Sequence, residues 1–166
     1  MLPLGKRAVN SAALAVVLCI GLTTPVFGEP EITEKIVFYE IEGQSGRELK
    51  DQMGALGPKG RWARTEWRVN WSSDCKLSVK LTFIYPKLKS PNSLSDDLLS
   101  RWDRMMDALI KHENGHADIT LRAARQIEDA KCVNADEIFD NGNRLNAKYD
   151  EDNRHGYTEG VRLSDD

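Results

Sequence analysis

Hydrophobic positions recur along the chain with two distinct periods. Between residues 36 and 41, Ile36 and Phe38 fall on one face and Val37, Tyr39 and Ile41 on the other, which predicts a strand apolar on both sides and therefore central in its sheet. Trp67, Val69 and Trp71 then alternate with Arg68 and Asn70. After Ser72-Ser73-Asp74, the residues Leu77, Val79, Leu81, Phe83 and Tyr85 alternate with Lys76, Ser78, Lys80 and Thr82. Two alternating runs across a short polar turn predict an antiparallel hairpin with one buried face, on which the tryptophans are core. Prolines 86 and 91 are expected to close the strand section.

Beyond residue 93 the period changes to that of a helix. Leu98, Trp102, Met105, Met106, Leu109, Ile110, Ile119, Ala123, Ile127 and Ala130 keep it as far as Lys131, and Ser95-Asp96-Asp97 supplies a cap and negative charge at the start. Gly115 costs a helix interior about 1 kcal/mol. The apolar face resumes in phase after it, so one continuous helix is expected, with the glycine letting a strand's backbone pass close by. Ser45 with Glu48 reads as a capping box for a short helix through Met53. Asn134 is placed to cap a last helix bearing Ile138, Phe139, Leu145 and Tyr149, with a break suggested at 141–143, and residues 161–163 read as a short terminal strand. The fold class is α+β: a small antiparallel sheet packed against a long helix and a C-terminal helix.

Composition narrows the setting. The 166 residues are 40% hydrophobic and 30% charged, as expected of one globular domain with a core. The start stands apart: Lys6 and Arg7 precede an apolar stretch over 12–22, and Val26-Phe27-Gly28 gives a small-residue exit. This is the pattern of a secretory signal peptide over residues 1–28, too short in its apolar part to cross a bilayer that needs about twenty residues. A mature domain of residues 29–166 follows, secreted or periplasmic, with no membrane insertion after cleavage. It keeps 21 basic against 26 acidic residues, net −5, and offers no electrostatic footprint for nucleic acid.

Export changes the meaning of the cysteines. Cys19 leaves with the leader, and Cys75 and Cys132 are expected to form one disulfide. The competing reading, two thiolate metal ligands, is the weaker because neither belongs to a Cys-x-x-Cys pair.

The chemistry centres on His112-Glu113-Asn114-Gly115-His116. Two histidines four apart on a helix differ by only about 40° in direction, so both imidazoles can reach one ion, with Glu113 beside them. That spacing suits a zinc site in which a glutamate accepts a proton from the metal's water. A catalytic zinc usually takes a third protein ligand. The Gly-x-x-His continuation of the metzincins is absent, since Ile119 and Arg122 stand in those places. His155, followed by Gly156, is the preferred third ligand; Glu137 is the runner-up and Glu128 less suited. Tyr157 or Tyr149 would supply the oxyanion donor, and Asp150 or Asp152 would orient a ligand histidine through its second nitrogen.

Taken together, the leader, Gly57-Pro58, Trp67 with Trp71, Cys75, His112-Glu113-x-Gly115-His116, Cys132, Tyr149-Asp150 and His155-Gly156 resemble the bacterial family of predicted secreted zinc-dependent proteases known as domain of unknown function 922. The likeness covers nearly all of residues 35–163. Asn153 departs from it, standing where the family pattern has a threonine two residues before the histidine. The resemblance implies a small exported zincin-like metallopeptidase domain, and it supports His155 as a ligand. The expected activity is hydrolysis of a protein or peptide substrate, with Zn²⁺ on His112, His116 and His155 and Glu113 as general base. The alternative is a non-catalytic envelope interaction module in which the zinc is structural.

Overall fold

The computed structural model describes residues 29–165; the leader and Cys19 lie outside the described residues. Elements follow in the order β1 (Glu31–Ile41), α1 (Gly46–Leu56), β2 (Arg64–Trp71), β3 (Leu77–Leu88), α2 (Asp96–Asp129) and α3 (Ala135–Asn153). The three strands form one sheet in the order β1-β3-β2. The hairpin is as its alternation predicts: β2 and β3 pair antiparallel, with Trp67 opposite Leu81 and Val69 opposite Val79. Leu77, Val79, Leu81, Phe83 and Tyr85 are all buried, packed with Leu98, Trp102, Met105 and Leu109 of α2.

The first strand differs from expectation in two ways. It pairs parallel with β3, so the sheet is mixed rather than wholly antiparallel, and it lies at an edge rather than in the centre. The hairpin leaves a free side on both β2 and β3, and β1 takes that of β3, which puts β3 in the middle. Ile36 and Phe38 share a face with Phe83 and Tyr85 but are 58% and 56% exposed. Period-two apolarity on both faces therefore does not imply burial on both. Pro86 does not end β3, which continues to Leu88, and α1 runs past Met53 to Leu56. The capping box at its start is present in half: Ser45 accepts from the Glu48 amide, but the Glu48 carboxylate accepts from the amide of Gln44, one residue before the cap, rather than from that of Ser45.

The long helix is continuous for 34 residues, capped by Ser95, whose hydroxyl accepts from the Leu98 amide. What Gly115 admits is the ring of Tyr149 from α3, not a strand's backbone. α3 runs unbroken through 141–143, where two of the supposed breakers serve packing or polar contact: a side chain on Gly142 would press on Ala123, and Asn143 accepts a hydrogen bond from the Trp67 indole. Leu145, expected on its apolar face, is 48% exposed. Asn134 caps nothing with its side chain and takes a left-handed conformation in the α2–α3 turn, as do Lys131 and Cys132. Cys132 is bonded there to Cys75, which ties this turn to the β2–β3 turn. Closing a 57-residue separation stabilises the fold by roughly 4 kcal/mol in the chain-entropy account. Residues 161–163 form no strand; Val161 and Leu163 are buried from extended coil. No described helix is long and apolar enough to cross a membrane.

Candidate metal centre

α2 turns its buried stripe toward α3, and His112, Glu113 and His116 lie on that stripe at 3%, 4% and 7% exposure. The imidazole centroids of His112 and His116 are 4.9 Å apart. Across from them stands Asp150 of α3, whose Oδ1 is 3.2 Å from His112 Nε2 and 3.2 Å from His116 Nε2. One ligand atom from each of the three falls within 4.8 Å of the others. Ligands at about 2.0–2.1 Å from a tetrahedral metal sit about 3.3 Å from one another, so the observed separations leave room for one ion.

The outer nitrogens show why those atoms face inward. His116 Nδ1 is 2.9 Å from Asn146 Oδ1, and the other end of that amide donates to Thr120 Oγ1, whose hydroxyl donates to the His116 carbonyl. The chain of bonds assigns the proton to Nδ1. His112 Nδ1 is likewise 2.9 Å from Glu159 Oε2, a carboxylate that itself accepts from the Tyr149 hydroxyl. Neutral imidazoles with their protons outward present lone pairs at both Nε2 atoms, opposite the carboxylate oxygen of Asp150. Three acceptors meeting at one buried point require positive charge between them, from a proton or a cation. The donor set of two imidazoles and a carboxylate fits a divalent transition metal.

Without a metal, protons do this work. Burial alone would lower His112, but hydrogen bonds to Asp150 and Glu159 outweigh it and raise its pKa above 6.5. For Asp150 burial acts upward, and the hydrogen bonds from His112 and His116 overcome it, holding the carboxyl well below the usual range. Tyr149 is pushed upward, first by burial and then by its bond to Glu159.

Glu113 is held from the sheet. Thr65 of β2 places its hydroxyl 2.7 Å from Glu113 Oε2 and 3.0 Å from the Glu113 carbonyl. Beside these groups opens a cleft of about 410 Å³, bounded by the segment around Arg61 and the start of β2 on one side and by the end of α3 on the other. β2 is an edge strand, so this wall carries free backbone groups.

Sequence-predicted residues are thus partly gathered. His112, Glu113 and His116 converge. His155 also reaches the site, at the second oxygen of Asp150: its Nδ1 is 3.2 Å from Oδ2, and its side chain is 51% exposed on the cleft. Tyr157 lines the cleft, half exposed, with the Arg162 guanidinium 4.3 Å from its ring centroid. Tyr149 stacks on His112 and spends its hydroxyl on Glu159. Glu137 is exposed at the start of α3 and lines a different groove, with Gln126 and Asn134. Asp150 meets His112 and His116 at their inward Nε2 atoms, so the second-nitrogen contact expected of it from sequence is made with His155 alone, at Nδ1. Asn146, Glu159 and Thr65 were not foreseen. One signal pointed to Asn146 and Asp150: Gly142, Asn146, Tyr149, Asp150 and Asn153 recur at helical spacing, a small and polar stripe that proves to be the inward face of α3.

No curated protein and no solved structure matches the chain. One family does: its sequence model, described as a bacterial protein of unknown function, matches residues 36–156 and so spans most of the sheet, both site helices and the turn after α3 as far as Gly156. The chain belongs to that bacterial family, domain of unknown function 922.

Proposed function

We propose that this chain is an exported zinc-dependent metalloprotease. The observation that carries the reading is the convergence of three lone-pair donors, His112 Nε2, His116 Nε2 and Asp150 Oδ1, beside a buried glutamate and at the wall of an open cleft. A structural zinc is normally enclosed by four protein ligands, whereas three ligands facing a cleft leave a position for chemistry. Asp150 takes the third position, and His155, on the carboxylate's other oxygen, steadies it. The leader pattern and the Cys75–Cys132 bond support export into an oxidising compartment.

Zn²⁺ held here would supply a Lewis acid and a water acidic enough to lose its proton near neutral pH. Glu113 is placed to take a proton at Oε1, the oxygen Thr65 does not hold, and would return it to the amine released when the peptide C–N bond breaks. Glu159 and Asn146 keep both histidines in the tautomer that ligation needs. The free edge of β2 aligns an extended peptide by strand addition, and Tyr157 donates to the developing oxyanion.

The test is zinc per chain in the mature protein, followed by hydrolysis of an unstructured protein by wild type and Glu113→Gln. About one zinc in both proteins, with turnover only in wild type, is the expected result. Equal zinc with no turnover in either would make the metal a structural element of an envelope module. Absence of zinc, with none gained on titration, would end the metal reading altogether.

A further inference from the structure

The cleft is cationic in a chain that is not. Overall the sequence carries 26 acidic against 23 basic residues, yet three arginines line this cleft: Arg61 from the stretch leading into β2, Arg64 at the start of β2, and Arg154 from the C-terminal cap of α3. Its only carboxylates among the described residues are Glu113 and Asp150, and both are engaged, one by Thr65 and the other by the histidines. Arg64 Nε lies 3.4 Å from Glu66 Oε1, but the side chains of Arg61 and Arg154 meet no partner among the described residues. Arg154 is also held in a left-handed conformation, φ 53°, where the chain turns off the helix toward His155. A metal ion would add two further positive charges. The other grooves are lined differently: Glu42, Glu48 and Asp51 in one, Glu34 and Asp118 in another.

A concave surface with a net excess of one sign focuses its field and enriches the opposite charge. Trp62, Trp67 and Tyr157 add aromatic walls suited to the apolar parts of a peptide. We propose that the substrates of this site are acidic peptide segments, with Asp or Glu side chains close to the bond addressed, and that Arg61 and Arg154 select them. This rests on the metalloprotease reading above and names the class of peptide it acts on.

The experiment uses zinc-loaded mature protein carrying Glu113→Gln, with tryptophan fluorescence reporting binding at the Trp62 and Trp67 walls. Four decapeptides of matched length are titrated: three capped at both ends, with Glu, Gln or Lys around the centre, and one with uncharged side chains, a capped N-terminus and a free C-terminal carboxylate. The expected result is about tenfold tighter binding of the Glu peptide than of the Gln peptide at low salt, an advantage that shrinks at high salt and vanishes in Arg61→Ala/Arg154→Ala with zinc retained. Equal binding of the Glu and Gln peptides, or no binding, overturns the proposal. Preference for the free-terminus peptide alone overturns it in favour of a terminal carboxylate. Wild-type hydrolysis separates the two readings: equal cleavage of Glu and Gln peptides removes the acidic selectivity and leaves the protease, while selective binding of the Glu peptide without cleavage keeps the selectivity and removes the protease.

Discussion

The ring of Tyr149 occupies the space that Gly115 leaves on α2. A Cβ built at Gly115 would lie 2.6 Å from Tyr149 Cζ, so any larger residue must displace a ring that stacks on His112 and donates to Glu159. The glycine inside His-Glu-x-x-His is therefore part of the site's alignment, offset against about 1 kcal/mol of helix propensity. Gly115→Ala is expected to destabilise the protein by roughly 1–3 kcal/mol through overpacking. It should also weaken metal binding about tenfold or more, through the disturbed Glu159 contact. Thermal melts and zinc titration check both; a variant more stable than wild type with unchanged affinity would show that the ring moves freely.

Asp150 and His155 are the two candidates for a third metal ligand, and their removal should have different effects. Asp150→Ala is expected to lose stoichiometric zinc, because both Nε2 atoms face its Oδ1. His155→Ala, which leaves that oxygen in place, should retain zinc with affinity reduced about tenfold. Zinc analysis of the two dialysed variants decides. The reverse pattern would return the ligand to His155 and make Asp150 its support.

Thr65→Val preserves shape and removes the donor that fixes Glu113 Oε2. Metal content should be unchanged, since Thr65 touches none of the three metal-facing atoms. Hydrolysis should fall about tenfold, the effect of a lost hydrogen bond to a charged group. Unaltered turnover at full zinc would remove Thr65 from the catalytic apparatus.

Stability should depend on pH differently with and without metal. In the metal-free protein, the raised His112 contributes stability that is complete below 6.5 and is lost as pH rises through its folded value. The depressed Asp150 contributes stability present above 3.8 and lost as pH falls through its folded value. Their joint contribution is fullest between about pH 4 and 6.5. A metal needs the same nitrogens without protons, so its stabilisation grows with pH. The zinc-induced rise in Tm, measured against chelator, is expected to widen from pH 6 to pH 8. A constant or shrinking increment would count against histidine ligation.

Much was determined by the sequence alone, because it is local physics. Alternation fixed the β2–β3 hairpin, helical phase carried α2 through Gly115, the capping residues at Ser45 and Ser95 were in place, and spacing alone put His112, Glu113 and His116 on one face. The Cys75–Cys132 bond followed from counting. Tertiary structure decided what depends on neighbours from elsewhere in the chain. β1 reads as a central strand until α2 leaves Ile36 and Phe38 uncovered, and Asn141-Gly142-Asn143 reads as a break until Ala123 and Trp67 meet it. The candidate metal group closes across α2 and α3, between residues 34 apart, where no periodicity ties Asp150 to His116. A helix fixes the direction of a side chain relative to its own axis, and only the packing of a second helix fixes what it points at.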